Sequence, residues 1–72
     1  MKKFKIGERY LWPALFIPAF FVEVISRTDK TVTFEEIWHP EEKIHCDICY
    51  DIQGNEVVVA WEYDKQEGYV RA

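Results

Sequence analysis

Hydrophobic and polar positions alternate with a period of two along much of this chain, most clearly from Lys43 to Ile52. Ile44, Cys46, Ile48, Tyr50 and Ile52 form one face there, and Lys43, His45, Asp47, Cys49 and Asp51 the other. Successive strand residues point to opposite faces, so this pattern predicts a half-buried strand with one wet face. Upstream, Phe20–Ser26 and Thr31–Ile37 are rich in β-branched and aromatic residues and flank the polar link Arg27–Lys30. That arrangement predicts an antiparallel hairpin, with Asp29 suited to the self-bonding of its turn. Phe20, Val22, Val24 and Ser26 are expected on one face of the first arm. In the second arm, Val32 and Phe34 face the core, and Thr33 and Glu35 face water.

The remaining segments are shorter. Lys5–Trp12 reads as a first strand ended by Pro13, because proline lacks the amide hydrogen a ladder needs. Pro13–Pro18 is an irregular loop or a one-turn helix, since Pro13 fits a first turn and Pro18 ends it. Trp38–Glu42 is a charged connection broken by Pro40. Gln53-Gly54-Asn55 is a turn in which glycine supplies a left-handed backbone angle. Glu56–Tyr63 is the next strand, with Val57, Val59, Trp61 and Tyr63 on one face. Asp64–Glu67 is a polar link, and Tyr69–Arg71 a short closing strand.

Five to six short antiparallel strands at this spacing predict an all-β fold, a small SH3-like or OB-like barrel, with SH3-like the leading form. One apolar loop or short helical turn follows the first strand. At 72 residues the chain holds one domain, residues 1–72, near the lower limit for a core that stands without staples. Its 17% aromatic content offsets the small size and argues against disorder. The longest apolar stretch, Leu11–Val22, carries two prolines and falls short of the roughly 20 residues that span a bilayer as a helix. Charges in Phe4–Arg9 interrupt any leader-like apolar region. The expected setting is the cytoplasm, without a membrane partner and with reduced thiols.

Formal charge is −4, unevenly spread. Residues 1–34 hold six Lys and Arg against three carboxylates, a net +3, and residues 35–72 hold three against ten, a net −7. An acidic half argues against duplex binding, which draws its affinity from neutralising phosphates.

Candidate chemistry is sparse. Cys46-x-x-Cys49 has redox or zinc spacing, and His39 and His45 bring the potential ligands to four. Within an alternating strand, however, a separation of three puts the two thiols on opposite faces, against both a disulfide and a shared metal. Neither histidine has a nucleophile paired with it by spacing. Glu35-Glu36 and Glu41-Glu42 are sequence neighbours and do not converge on a strand. The expectation is a noncatalytic protein without cofactor or metal.

Two surfaces are candidates for a protein partner. The first is the proline-bounded apolar loop, with Trp12, Leu15, Phe16 and Ile17. It either closes one end of the core as a lid or stays exposed, in which case it serves a partner or homodimerisation. The second is acidic: Glu35, Asp47, Asp51 and Glu62 share a wet face if the strands carrying them are neighbours. Such a face imitates phosphate spacing and fits a basic groove, as acidic inhibitors of the anti-CRISPR or anti-restriction type do.

Phe4-Lys5-Ile6-Gly7-Glu8-Arg9-Tyr10, Arg27-Thr28-Asp29-Lys30-Thr31-Val32-Thr33 and the terminal Val70-Arg71-Ala72 resemble segments of short uncharacterised proteins associated with bacterial mobile genetic elements. Those proteins open with a similar Gly-x-x-Tyr segment, carry a similar hairpin and end in Arg-Ala. The resemblance implies a small SH3-like β-barrel and brings no activity with it. Leu11–Phe21 is more apolar here than in those relatives. The functional expectation is a noncatalytic protein-interaction module, an accessory of a mobile element. An acidic mimic of nucleic acid that inhibits a nucleoprotein enzyme is the alternative. A single-strand nucleic-acid binder using aromatic platforms is a third reading.

Overall fold

The computed structural model describes residues 1–72 and contains seven strands and no helix. They are β1 (Arg9–Trp12), β2 (Phe20–Arg27), β3 (Thr31–Glu36), β4 (His39–Asp47), β5 (Cys49–Tyr50), β6 (Glu56–Tyr63) and β7 (Gln66–Arg71). All pairings are antiparallel, in a four-stranded sheet β1-β2-β3-β4 and a three-stranded sheet β5-β6-β7. The all-β class is as expected, but there are seven strands where five to six were expected, arranged as two sheets. β1 lies against β7 and β4 against β6, yet no ladder joins either pair, so no hydrogen-bonded barrel closes. The result is a slab of 31 × 30 × 15 Å.

The extra strands arise where the alternating run reads as one piece. It passes from β4 in one sheet to β5 in the other at Ile48, whose amide donates to the carbonyl of Lys30 at 2.8 Å. Ile44, Cys46 and Ile48 pack half-buried against the core, as their period requires. Tyr50 and Ile52 lie beyond the crossing and are exposed, contrary to the single-face reading. At its other end β4 begins at His39, inside what reads as a loop. The register slips between Glu35 and Glu36, so Pro40, Glu41 and Glu42 bulge from the edge. Proline and charge on an edge strand discourage pairing with another chain.

The core comprises Phe4, Trp12, Val22, Val24, Val32, Phe34, Val58 and Val70. Phe34 is its hub: the rings of Phe4 and Trp12 meet it edge-on at 5.5 and 5.7 Å. Trp12 also stacks on Phe20 at 6.3 Å. Each such pair contributes about 0.5–1.5 kcal/mol beyond area burial.

Two β-bulges decide which later residues turn inward. In β2, Val24 pairs with Phe34, but Ser26 pairs with Thr33 and Arg27 with the buried Val32. The extra residue is Ile25, and it reverses the phase of the rest of the strand, so Ser26 is exposed and Arg27 points inward. In β6 the slip falls at Ala60, between Val59↔Tyr69 and Trp61↔Gly68. Val58 pairs with the core residue Val70, so Gly68, two residues from Val70 on an unbroken strand, puts Trp61 on the core side. Val57 and Val59 stay on the outer face, which splits the set read as one face.

The turns follow local chemistry. In the β2–β3 hairpin the Thr28 hydroxyl, rather than Asp29, accepts from the amides of Lys30 and Thr31 at 3.2 and 3.0 Å. Asp64 and Lys65 join β6 to β7 with φ of 49° and 66°, the pair of positive angles that a type I′ hairpin uses. Gly54 has the expected left-handed angle, φ 81°. Pro13–Ala19 is an irregular loop without a helical turn.

Candidate functional site

The most strongly interacting charged groups, a buried carboxylate and a partly buried guanidinium, hold the chain together. Arg27 and Glu56 form a two-pronged ion pair of 2.7 and 2.8 Å, with side-chain exposures of 18% and 2%. Glu56 Oε1 also accepts from the Phe4 amide at 2.8 Å, and Arg27 donates to the Phe4 carbonyl at 2.6 Å. Backbone bonds reinforce this clip, since the Glu56 amide donates to the Lys2 carbonyl at 3.0 Å. Every strong donor and acceptor at this cluster is occupied within the chain, so it anchors the N-terminal segment and leaves nothing for a substrate. Sequence reasoning missed it. The available signal was a carboxylate opening a strand directly before Val57, Val58 and Val59.

The apolar loop of residues 13–19 is open to solvent. Phe16 is 81% exposed and Ile17 63%, and Leu15 is also on the surface. The only ring packing of Phe16 is edge-on against Tyr63 at 5.7 Å. The loop therefore does not roof the core. Trp12, grouped with these residues in the sequence, is buried instead, packed on Phe20 and Phe34. The strands that the loop joins carry exposed apolar residues as well. Leu11 and Phe21 face each other across β1 and β2, and each is more than half exposed. Beside them on the same face, two residues along, Arg9 pairs with Glu23 at 3.4 Å. This row extends across the sheet through Glu35 to Lys43, which bridges Glu35 at 2.6 Å, making a cross-strand order Arg9–Glu23–Glu35–Lys43. The like-charged central pair is flanked on both sides by cations, which offsets its repulsion.

The four carboxylates read as one acidic face occupy two sheets. Glu35 and Asp47 lie on the four-stranded sheet, opposite Lys43 and Thr31. Asp51 is in the β5–β6 turn and Glu62 lies on β6, opposite Glu67. Asp51 is also committed locally, accepting from the amides of Gln53 and Asn55 at 2.9 Å. The Asn55 amide, with smaller help from Gln53 and Arg71, holds its carboxyl below the usual aspartate range.

The outer face of the three-stranded sheet carries a groove of about 620 Å³. Val57 and Val59 line it together with Cys49, Tyr50, Ile52 and Tyr69, and Arg71 is its basic group. Arg71 lies over the Tyr69 ring at 5.5 Å and reaches Asp51 at 4.0 Å, so its charge is already shared within the chain. Cys49 belongs to this groove, whereas Cys46 packs toward the core, where burial raises its thiol pKa. His45 shares a 2.7 Å hydrogen bond with Thr33, and His39 lies 3.7 Å from Glu41. No three His, Cys, Asp or Glu side chains converge as a metal-binding group. No helix is long and apolar enough to cross a membrane.

No protein-family model, curated protein or solved structure matches this chain.

Proposed function

We propose that this protein is a noncatalytic protein-interaction module that binds through the apolar surface formed by Leu11, Phe21 and the Leu15–Ile17 loop. One observation carries the reading: Phe16, Ile17, Phe21 and Leu11 are each more than half exposed, with Leu11 paired to Phe21 across β1 and β2 and the loop joining the adjacent ends of those two strands. Apolar exposure on this scale marks an interaction site on a small domain. Pro13 and Pro18 bound the loop and restrict its conformations, which lowers the ordering cost of binding. The likeness of the two-sheet fold to SH3-like barrels, the tie to bacterial mobile elements and a cytoplasmic setting belong to the same proposal.

The test places a photoreactive phenylalanine analogue at position 16, and at position 64 as a control, in the cell that makes the protein. The expected result is one discrete cross-linked adduct from position 16 and none from position 64. Absence of any adduct specific to position 16 removes the assignment.

A further inference from the structure

We infer that the partner seated on this surface is a second copy of the chain, packed face to face over β1 and β2 about a two-fold axis parallel to the strands. The inference rests on the interaction surface proposed above and names its occupant. Two independent observations lead to it.

The first is surface area. A monomeric protein of 8.7 kDa exposes roughly 4,700 Å² by the surface–mass scaling of folded chains. This chain exposes 5265 Å², an excess of about 500 Å². A stable interface of ordinary size buries about 800 Å² on each partner, so the excess is a large part of one partner's share. Leu11 and Phe21, each more than half exposed on the outer face of β1 and β2, contribute to that excess.

The second is the order of residues on that face. Arg9 lies opposite Glu23, and Leu11 opposite Phe21, in successive outward rows of the same strand pair. A two-fold axis running along the strands between β1 and β2 keeps each row at its own height and exchanges the two strands. Arg9 of one copy then meets Glu23 of the other, and Glu23 meets Arg9. Leu11 meets Phe21 in the same way. A single operation thus satisfies charge and apolar complementarity together, as an isologous interface requires. Aligned sheet packing, with strand directions within about 30°, accommodates it. Both loops leave at the same end of the pair, which brings Phe16 and Ile17 of the two copies to one end of the interface. A two-fold axis across the strands would instead set β1 over β1 and β2 over β2, so Arg9 would never meet Glu23 of the other copy, which favours the axis along the strands.

Sedimentation velocity of the full chain from about 1 µM to 1 mM is the test, with circular dichroism as the check on folding. The wild type is expected to move from one chain mass to two. Phe21→Asp should raise the dissociation constant about thirtyfold or more, the effect of losing a central apolar contact. Arg9→Glu alone and Glu23→Arg alone each oppose like charges across the axis and should be monomeric. An equimolar mixture of these two variants restores both opposite-charge meetings and should recover the dimer. That recovery depends on pairing between copies and cannot come from a folding defect. A wild type that is monomeric throughout, a dimer indifferent to Phe21→Asp, or a mixture that does not associate overturns the inference. If the wild type is monomeric while position 16 cross-links to a different protein, the surface stands and the second copy falls. If position 16 cross-links to nothing, the surface assignment itself fails.

Discussion

Arg27 and Glu56 meet through two parallel N–H···O bonds of 2.7 and 2.8 Å, although one ends β2 and the other opens β6 in the opposite sheet. The pair is the polar tie between the two sheets, and it also holds the Phe4 backbone by its amide and its carbonyl. Removing one partner leaves the other charged, buried and without its counter-ion, which costs about 3–5 kcal/mol. Small domains have only about 5–15 kcal/mol of stability in total. Arg27→Ala and Glu56→Ala are therefore expected to leave a chain largely unfolded at 37 °C, read as a collapse of the urea midpoint. Arg27→Met with Glu56→Leu should recover part of that loss, because a buried apolar pair carries no charge desolvation penalty, while the Phe4 amide and carbonyl still lose their partners. Equal midpoints for the wild type and Glu56→Ala would show that the clip contributes nothing.

The same pair sets an acid limit. Side-chain hydrogen bonds from Arg27 hold the Glu56 carboxyl below the usual glutamate range, outweighing the opposing effect of burial. A group that binds its proton more weakly when folded than when unfolded stabilises the fold wherever the proton is absent. The Glu56 contribution is thus complete above the ordinary glutamate pKa of about 4.3 and is lost as pH falls through its lower folded value. Asp51, lowered by the Asn55 amide, adds in the same direction. Unfolding free energy measured by denaturant titration should fall steeply below about pH 4.5 in the wild type. In Glu56→Gln the slope should be shallower by up to about one proton, leaving the Asp51 share.

Trp61 lies over Gly68 across β6 and β7, and a methyl built on Gly68 would fall well inside contact distance of indole Nε1 and Cε2. Glycine is needed there for the close approach of a ring. Gly68→Ala should cost about 1–3 kcal/mol, the usual range for overpacking. Trp61→Val removes the obstruction, so the double variant should be more stable than the two single effects added together predict. Additive effects in thermal unfolding would mean that the ring and the glycine do not oppose one another.

Regular alternation carries the sequence reading a definite distance. Val32 and Phe34 lie buried where the two-residue period puts them, and Ile44 and Cys46 follow the same rule in β4. The reading fails where the period is interrupted by one residue. Nothing in Glu23-Val24-Ile25-Ser26-Arg27 marks Ile25 as surplus, and without the bulge Arg27 reads as a solvated turn residue. Its partner Glu56 then reads as one more acidic residue of the surface. Phe4, buried at the centre of the aromatic cluster, stands among lysines outside any strand, so no period points to it. In the apolar loop, composition identifies the segment but leaves open whether it lies inside or outside. In the fold Trp12 fills the space beside Phe34, and Phe16 and Ile17 remain outside. The acidic set fails for a topological reason, because β4 and β6 belong to different sheets.

The bulge at Ile25 gives the most direct test of how β2 turns Arg27 inward. Deleting Ile25 restores unbroken alternation through β2 and swings every later residue of the strand to the opposite face. Arg27 would then point to solvent, while Glu56 remains buried with only the Phe4 amide as donor. An uncompensated buried carboxylate either gains a proton or drags its strand open, and both outcomes weaken the fold. The deletion is expected to destabilise the protein about as much as Arg27→Ala does, and the two together should cost little more than either alone, because each removes the same contact. Replacing Ile25 by Val keeps the extra residue and so the phase, and should shift the urea midpoint only slightly. A deletion variant whose midpoint matches the wild type would show that the phase reversal does not depend on Ile25, and that Arg27 reaches Glu56 by some other path of the backbone.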